Sequence, residues 1–230
     1  MKKGVYQFSY YSCRYFLLVL GMLGGMLITP DHNATAQHFV SIGVGSNSYI
    51  GDLTTKRSMG QLNVSARYLK QLDDNLAFKA TLNIGEIEGE YKPGDPVQLL
   101  NTDREPNTFF HTRINSLDIG LRWTYWKTSF IDLYAGLGLG ILTFNIQDDN
   151  NRNLDDRPET RLADEEYSLR AAVVPLSVGI VLLKGKKISL QIEQSWNFTN
   201  TDYLDNIGYL GTENNNDYVI RRSLSLRYQL

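Results

Sequence analysis

The chain has 230 residues, with 23 Lys+Arg against 25 Asp+Glu and 11% aromatic residues. The resulting formal charge of −2 excludes the strongly basic surface that nucleic-acid binding requires. A single cysteine excludes a disulfide framework within the chain.

At the amino terminus Lys2, Lys3 and Arg14 precede an apolar run of 14 residues, Tyr15 to Ile28, and then Ala34-Thr35-Ala36. That order predicts a secretory signal removed before Gln37. The run is short of the ~20 residues a spanning helix needs, and Cys13 precedes it, which argues against a lipoprotein anchor. Residues 1–36 are therefore expected to be processed, leaving 37–230 as one domain. That domain has 194 residues (230 minus 36), no cysteine, 20 Lys+Arg and 24 Asp+Glu, and a formal charge of −4.

Eight segments then alternate apolar and polar residues with the period of a strand. The first, His38 to Ser46, sets Val40, Ile42 and Val44 against Ser41, Gly43 and Gly45. The second, Met59 to Lys70, carries Leu62, Val64, Ala66 and Tyr68 on its apolar face. The third, Asn75 to Glu86, carries Leu76, Phe78, Ala80, Leu82 and Ile84. A long polar stretch leads to the fourth and fifth, a hairpin centred on Ser116 to Asn145 with its turn at Lys127-Thr128-Ser129. There Leu117, Ile119, Leu121, Trp123 and Tyr125 alternate with Ser116, Asp118, Gly120, Arg122 and Thr124. After the turn, Ile131 to Ile141 alternate with Asp132, Tyr134 and glycines. The sixth, Tyr167 to Leu183, contains Pro175, where the apolar phase shifts from Leu169, Ala171 and Val173 to Leu176, Val178, Ile180 and Leu182. A bulge that absorbs one extra residue is the expected cause. The seventh runs from Ile188 to Phe198. The eighth, Asp217 to Leu230, has an apolar stripe of Tyr218, Ile220, Leu224, Leu226, Tyr228 and Leu230, interrupted by Arg222.

Each arm of the hairpin is about the 9–11 residues that a tilted strand needs to cross a bilayer. One face is apolar with aromatics near the turn; the other is too small and polar for a sandwich core. Short turns (Gln71–Asp74, Lys127–Ser129, Lys184–Lys187) alternate with long loops, and both termini fall on the short-turn side. An all-β, eight-stranded antiparallel transmembrane β-barrel with short periplasmic turns and long extracellular loops is the predicted fold. A secreted chain of this kind belongs in the outer membrane of a Gram-negative bacterium, in contact with lipid and lipopolysaccharide, as a monomer.

Phase places Arg67, Lys79, Asp118, Arg122, Asp132, Glu193, Arg221 and Arg227 inside, where they are expected to form a mutually paired polar network. A selective ion path is the alternative use of those charges. The loop segment Asp149, Asn151, Asn153 and Asp155 has the alternate spacing of a calcium loop. However, Leu154 stands where the turn glycine belongs and Thr160 where the bidentate glutamate belongs, so no metal is expected. His38 and His111 are the only histidines after residue 36, and neither has a nucleophile at motif spacing. A lipid-modifying barrel enzyme is therefore disfavoured, and no cofactor is expected. Lys127, Lys184, Lys186 and Lys187 fall at the turn end as a small basic rim.

Three stretches carry a resemblance. Gly43-Val44-Gly45-Ser46-Asn47-Ser48-Tyr49-Ile50-Gly51-Asp52-Leu53 resembles the first strand and loop of small Bacteroidetes outer-membrane barrels, including the PorG-like proteins of type IX secretion. Gly85-Glu86-Ile87-Glu88-Gly89 and Thr201-Asp202-Tyr203-Leu204-Asp205-Asn206 resemble that family after its third and seventh strands. The end departs from it: Tyr228-Gln229-Leu230 stands where Tyr-Arg-Phe is common. The resemblance implies a non-enzymatic barrel similar in architecture to that of outer-membrane protein A, a Bacteroidetes source, and a structural role linked to periplasmic secretion components. A surface-exposed binding or envelope-stabilising barrel is the alternative.

Overall fold

An alternating strand with two different faces must find a neighbour on each edge, and closing the sheet on itself satisfies every edge at once. The structure, a computed structural model, describes residues 37–52, 60–90, 107–157, 160–161, 166–183, 187–208 and 216–230. The expected signal segment, residues 1–36, lies outside the described residues. Eight strands follow one another: β1 His38–Ile50, β2 Gln61–Gln71, β3 Leu76–Glu90, β4 Phe109–Lys127, β5 Ile131–Gln147, β6 Arg170–Leu182, β7 Ile188–Thr199 and β8 Tyr218–Gln229. Each pairs antiparallel with the next, and β1 closes on β8 from Phe39↔Gln229 to Ile50↔Tyr218. The result is a closed eight-stranded antiparallel barrel.

The turns at one end are tied locally. Leu72 N donates to Leu76 O at 2.9 Å, and Thr128 N to Ile131 O at 2.8 Å. The Thr128 hydroxyl also accepts from the amides of Phe130 and Ile131, at 3.2 and 2.9 Å. The start of β1 and the carboxyl end both lie at this turn end, where Leu230 N donates to His38 O. In β4 the register jumps between Thr124 and Trp126. This bulge leaves Tyr125 as the extra residue and turns both Tyr125 and Trp126 outward.

Outward positions along the middle of the strands are large, apolar and exposed, among them Ile42 at 70% and Leu226 at 62%. Inward positions at the same level are mostly small, polar or charged, with Tyr134 among them. In β3 to β6 this assignment reverses toward the loop end. Outward Leu117 and Ile119 give way to Asn115 and Arg113, while inward Ser116 and Asp118 give way to Ile114 and Phe110. Likewise Leu142, Phe144 and Ile146 point inward above Gly138 and Gly140 in β5.

That reversal corrects the expected bulge at Pro175. Ala171, Val173, Pro175 and Ser177 all face inward in one unbroken phase, and β6 pairs with β7 without interruption from Val173↔Thr199 to Leu182↔Leu190. The apolar character changes sides; the backbone does not. The missing proline donor is absorbed on the other edge, where the ladder to β5 lapses between Leu137↔Leu176 and Gly140↔Val173 with its register unchanged. Leu169, Ala171 and Val173 are thus not part of the outer stripe. Leu169 packs on the interior core with them.

Candidate functional site

The interior has two halves built from different chemistry. Toward the turn end, all eight charged residues assigned to the interior by phase are buried: Arg67, Lys79, Asp118, Arg122, Asp132, Glu193, Arg221 and Arg227. Their centre is Glu193 on β7. Its Oε1 lies 2.6 Å from Arg67 Nη2 across the bore, and its Oε2 accepts from the Tyr134 hydroxyl at 2.8 Å. Gln191 Nε2 donates to the same Tyr134 oxygen at 2.6 Å, and the Arg122 guanidinium stacks 3.8 Å above the Tyr134 ring. A side chain at Gly179 would place its Cβ 2.3 Å from the Tyr134 hydroxyl oxygen, so only glycine gives that ring its seat.

The remaining charges are held less directly. Lys79 Nζ donates to Ser177 Oγ at 3.3 Å, and Arg227 Nε to Ser189 Oγ at 2.9 Å. Arg221 reaches Ser116 and Asn197, both at 3.4 Å, and Asn83 Nδ2 donates to Asp118 Oδ2 at 3.5 Å. The set holds five cations and three carboxylates. These side chains project into a bore that an eight-stranded circumference makes just wide enough for side chains to fill.

The loop-end half is an apolar core, which the predicted set of interior polar residues does not include. Ile87, Phe110, Ile114, Leu142, Phe144 and Ile146 enter it from the strands, and Leu154, Leu204 and Ile207 enter from loops. The segment after β7 folds back over the mouth as a cap. Thr112 Oγ1 donates to Leu204 O at 2.7 Å, and Asn107 Nδ2 to Asp205 O at 2.9 Å. Asn206 adopts a positive φ of 69°, a conformation asparagine tolerates. Its amide nitrogen donates to Thr160 at 2.8 Å, while its oxygen accepts from the Tyr167 hydroxyl at 2.9 Å. Tyr167 and Tyr203 stack with centroids 4.5 Å apart.

A buried acidic contact pins the cap to β1 and β8. The Tyr49 hydroxyl stands 2.7 Å from Asp205 Oδ2 and 2.7 Å from Asp217 Oδ1. Asp205 also accepts from Ile207 N at 3.0 Å, and Asp217 from Leu204 N at 2.8 Å. One hydroxyl proton serves one of the two oxygen–oxygen contacts; a proton on a carboxyl completes the other. Burial, and next the charge of Asp205, push the Asp217 carboxyl well above its ordinary value. The folded cap therefore binds a proton that an open cap releases. Its stability is greatest below the ordinary carboxylate value and falls as pH rises toward the raised one. Amide exchange at Leu204 and Ile207 should accelerate with pH beyond its intrinsic increase. In Asp217→Asn, whose amide can donate to Tyr49 at any pH, that excess should vanish.

The long loop after β5 is organised by a residue outside the expected ligand set. Asp148 Oδ1 accepts from the amides of Asn150 and Arg152, at 2.9 and 2.8 Å, and Oδ2 from Arg152 Nε at 2.8 Å. Against a desolvation cost, these bonds hold its carboxyl below the ordinary value. Asp149, Asn151, Asn153 and Asp155 do not converge: Asp149 accepts from Asn150, Asn153 from Gln147, and the Asp155 carbonyl from Arg161. Among the described residues no group of three or more His, Cys, Asp or Glu is arranged to hold a metal ion. His38 Nδ1 lies 2.7 Å from the Tyr68 hydroxyl, and His111 Nε2 lies 3.3 Å from Glu86. Neither hydrogen-bonds a serine or threonine among the described residues. At the turn end Lys127 and Lys187 are exposed; Lys184 and Lys186 lie outside the described residues.

Sequence reasoning missed the cap. The available signal was Leu204 and Ile207, large apolar residues in a loop rich in Asp and Asn.

No family model matches the chain, and no curated protein sequence matches it. Solved structures do. Neisserial surface protein A is 8% identical with a TM-score of 0.53, over 84% of this chain and 97% of that one. Ail, the attachment invasion locus protein of Yersinia pestis, is 9% identical with a TM-score of 0.50, over 86% of this chain and 100% of that one. At such identities the likeness is one of fold: this chain has the closed barrel architecture of small outer-membrane proteins.

Proposed function

We propose that this chain is a non-enzymatic, plugged β-barrel of a Gram-negative outer membrane, with its turn end in the periplasm and its cap outside. The observation that carries this reading is the inside-out distribution of chemistry. A band of exposed Ile, Leu and Val surrounds an interior that holds eight charged residues, Arg67 and Glu193 paired among them. In water such a band would be an aggregation surface; in lipid it is the solvent-matched face. The reversal of phase in β3 to β6 marks the upper edge of the band, where Glu86 meets Arg113 and His111 on the outside. Folded and boiled samples should migrate differently in detergent gels, with a strand-dominated circular dichroism spectrum in vesicles. Failure to insert into vesicles overturns the reading. The filled bore favours a plug over a channel, and planar-bilayer recordings should show no stepwise conductance.

The finer reading is a structural component linked to type IX secretion, with a Bacteroidetes source. It is supported by the three sequence stretches described above, and the fold gives those stretches a shared place. Tyr49 belongs to the first, Ile87 to the second, and Leu204 and Asp205 to the third, and all four meet at the cap. The stretches thus describe how the loop end is closed, and a periplasmic contact belongs to the basic rim instead. Reversing Lys184, Lys186 and Lys187 to Glu should then cut secretion while barrel abundance stays normal. Asp149→Asn with Asp156→Asn, both exposed and clear of the buried Leu154, should be silent. The opposite outcome moves the function to the cell surface, as a binding or envelope-stabilising barrel.

A further inference from the structure

The apolar band is interrupted on its outer face at one place. Arg222 in the middle of β8 points outward and is exposed, and its Nε donates to Gln194 Oε1 at 3.2 Å on β7. On the other side it pairs in register with Ser46 of β1. Its outward neighbours two residues away are Ile220 and Leu224, while those of Gln194 are Ile192 and Trp196. The three polar residues therefore sit inside the band rather than at its rim.

Register gives the depth. A single ladder line runs Trp123↔Ala135↔Val178↔Gln194↔Arg222↔Ser46. With strands ~4.8 Å apart and tilted about 40°, each step climbs about 3 Å, so Arg222 lies about 12 Å above Trp123. The upper aromatic layer, Phe198 against Tyr218 with centroids 5.7 Å apart, begins four residues along β8, or about 10 Å higher at the strand rise and tilt of such barrels. From there the long arginine stem meets a headgroup drawn several ångströms below that layer.

We propose that Arg222, with Gln194 and Ser46 beside it, is a binding site for the phosphate of an anionic outer-leaflet lipid. Gln194 fixes the guanidinium through Nε, which leaves the two terminal nitrogens as a planar fork for two phosphate oxygens. No described residue supplies an acid to that fork: the outward carboxylates Glu86, Glu88 and Glu90 lie above the band on β3. A second copy of the chain fits poorly. A two-fold contact over β7, β8 and β1 would bring Arg222 against Arg222 in a medium of low dielectric. The inference rests on the membrane reading, and its test keeps the two apart.

Full-length processed protein is folded into phosphatidylcholine vesicles with or without phosphatidylglycerol, and the temperature at which the folded gel band disappears is measured. The wild-type temperature should rise by several degrees with phosphatidylglycerol. Arg222→Leu should lose most of that rise, while in pure phosphatidylcholine it should equal or exceed wild type, since it places no charge in lipid. Arg222→Lys should keep part of the rise. Equal rises in wild type and Arg222→Leu would assign the effect to the rim lysines and overturn the site. A rise produced by inorganic phosphate added to phosphatidylcholine vesicles would replace the lipid with a free ion. Cross-linked dimers that depend on Arg222 would favour the second copy and overturn the lipid. If neither protein inserts, the barrel reading itself fails.

Discussion

Glu193→Gln should lower the free energy of unfolding by about 3–5 kcal/mol, the cost of leaving one member of a buried ion pair without its partner. Arg67 is 6% exposed and reaches Glu193 at 2.6 Å, so solvent cannot replace the lost charge. The glutamine keeps the shape and can still accept from Tyr134, which isolates the charge from the packing. Arg67→Met combined with Glu193→Leu should recover most of the loss, because two apolar groups of similar volume need no compensation. Urea unfolding of the wild type, Arg67→Met, Glu193→Leu and the double variant in one vesicle composition gives the coupling energy. A Glu193→Gln cost within about 0.5 kcal/mol, the range of a surface change, would show that the interior charges are hydrated and that the bore holds a water path.

The second large effect is on the outer face. Leu137 points outward from the middle of β5, is 58% exposed, and pairs with Leu121 and Leu176 on either side. Leu137→Arg puts a charge where the band is apolar, at a cost of about 2–4 kcal/mol near the bilayer midplane. Asp149→Arg, on an exposed loop, should change stability by under about 0.5 kcal/mol. The folded fraction recovered in vesicles distinguishes them. Equal recovery would mean that the face of β5 does not meet lipid.

Much of this fold is legible in the chain because the outer face and the interior carry opposite chemistry at every second residue. Leu117, Ile119 and Leu121 against Ser116, Asp118 and Gly120 already assign two faces, and the alternation of short and long connections assigns two ends. What phase could not supply is pairing across the bore. Arg67 and Glu193 lie 126 residues apart, and only closure of the barrel brings β2 opposite β7. Phase also misled at Pro175. The simplest reading of a shift in apolar period is an added residue, whereas the physical event is a transfer of apolar character from the outer face to the inner one. Leu142, Phe144 and Ile146 carried the same signal without a proline beside them. The cap was harder still, since Tyr49, Asp205 and Asp217 come from three separate segments and none of them stands out alone.

The halved interior gives the molecule two unlike thermal responses. Forming the loop-end core removes Phe110, Leu142, Leu204 and Ile207 from water, as in a water-soluble domain, so opening it raises the heat capacity. On the membrane reading proposed above, opening the lower barrel moves Ile42 or Leu226 from lipid to lipid, and only the small cluster of Phe39, Leu69 and Ala77 adds buried apolar area. Cooling should therefore loosen the cap before it loosens the strands, and the choice of lipid should alter the strands while leaving the cap largely unaffected.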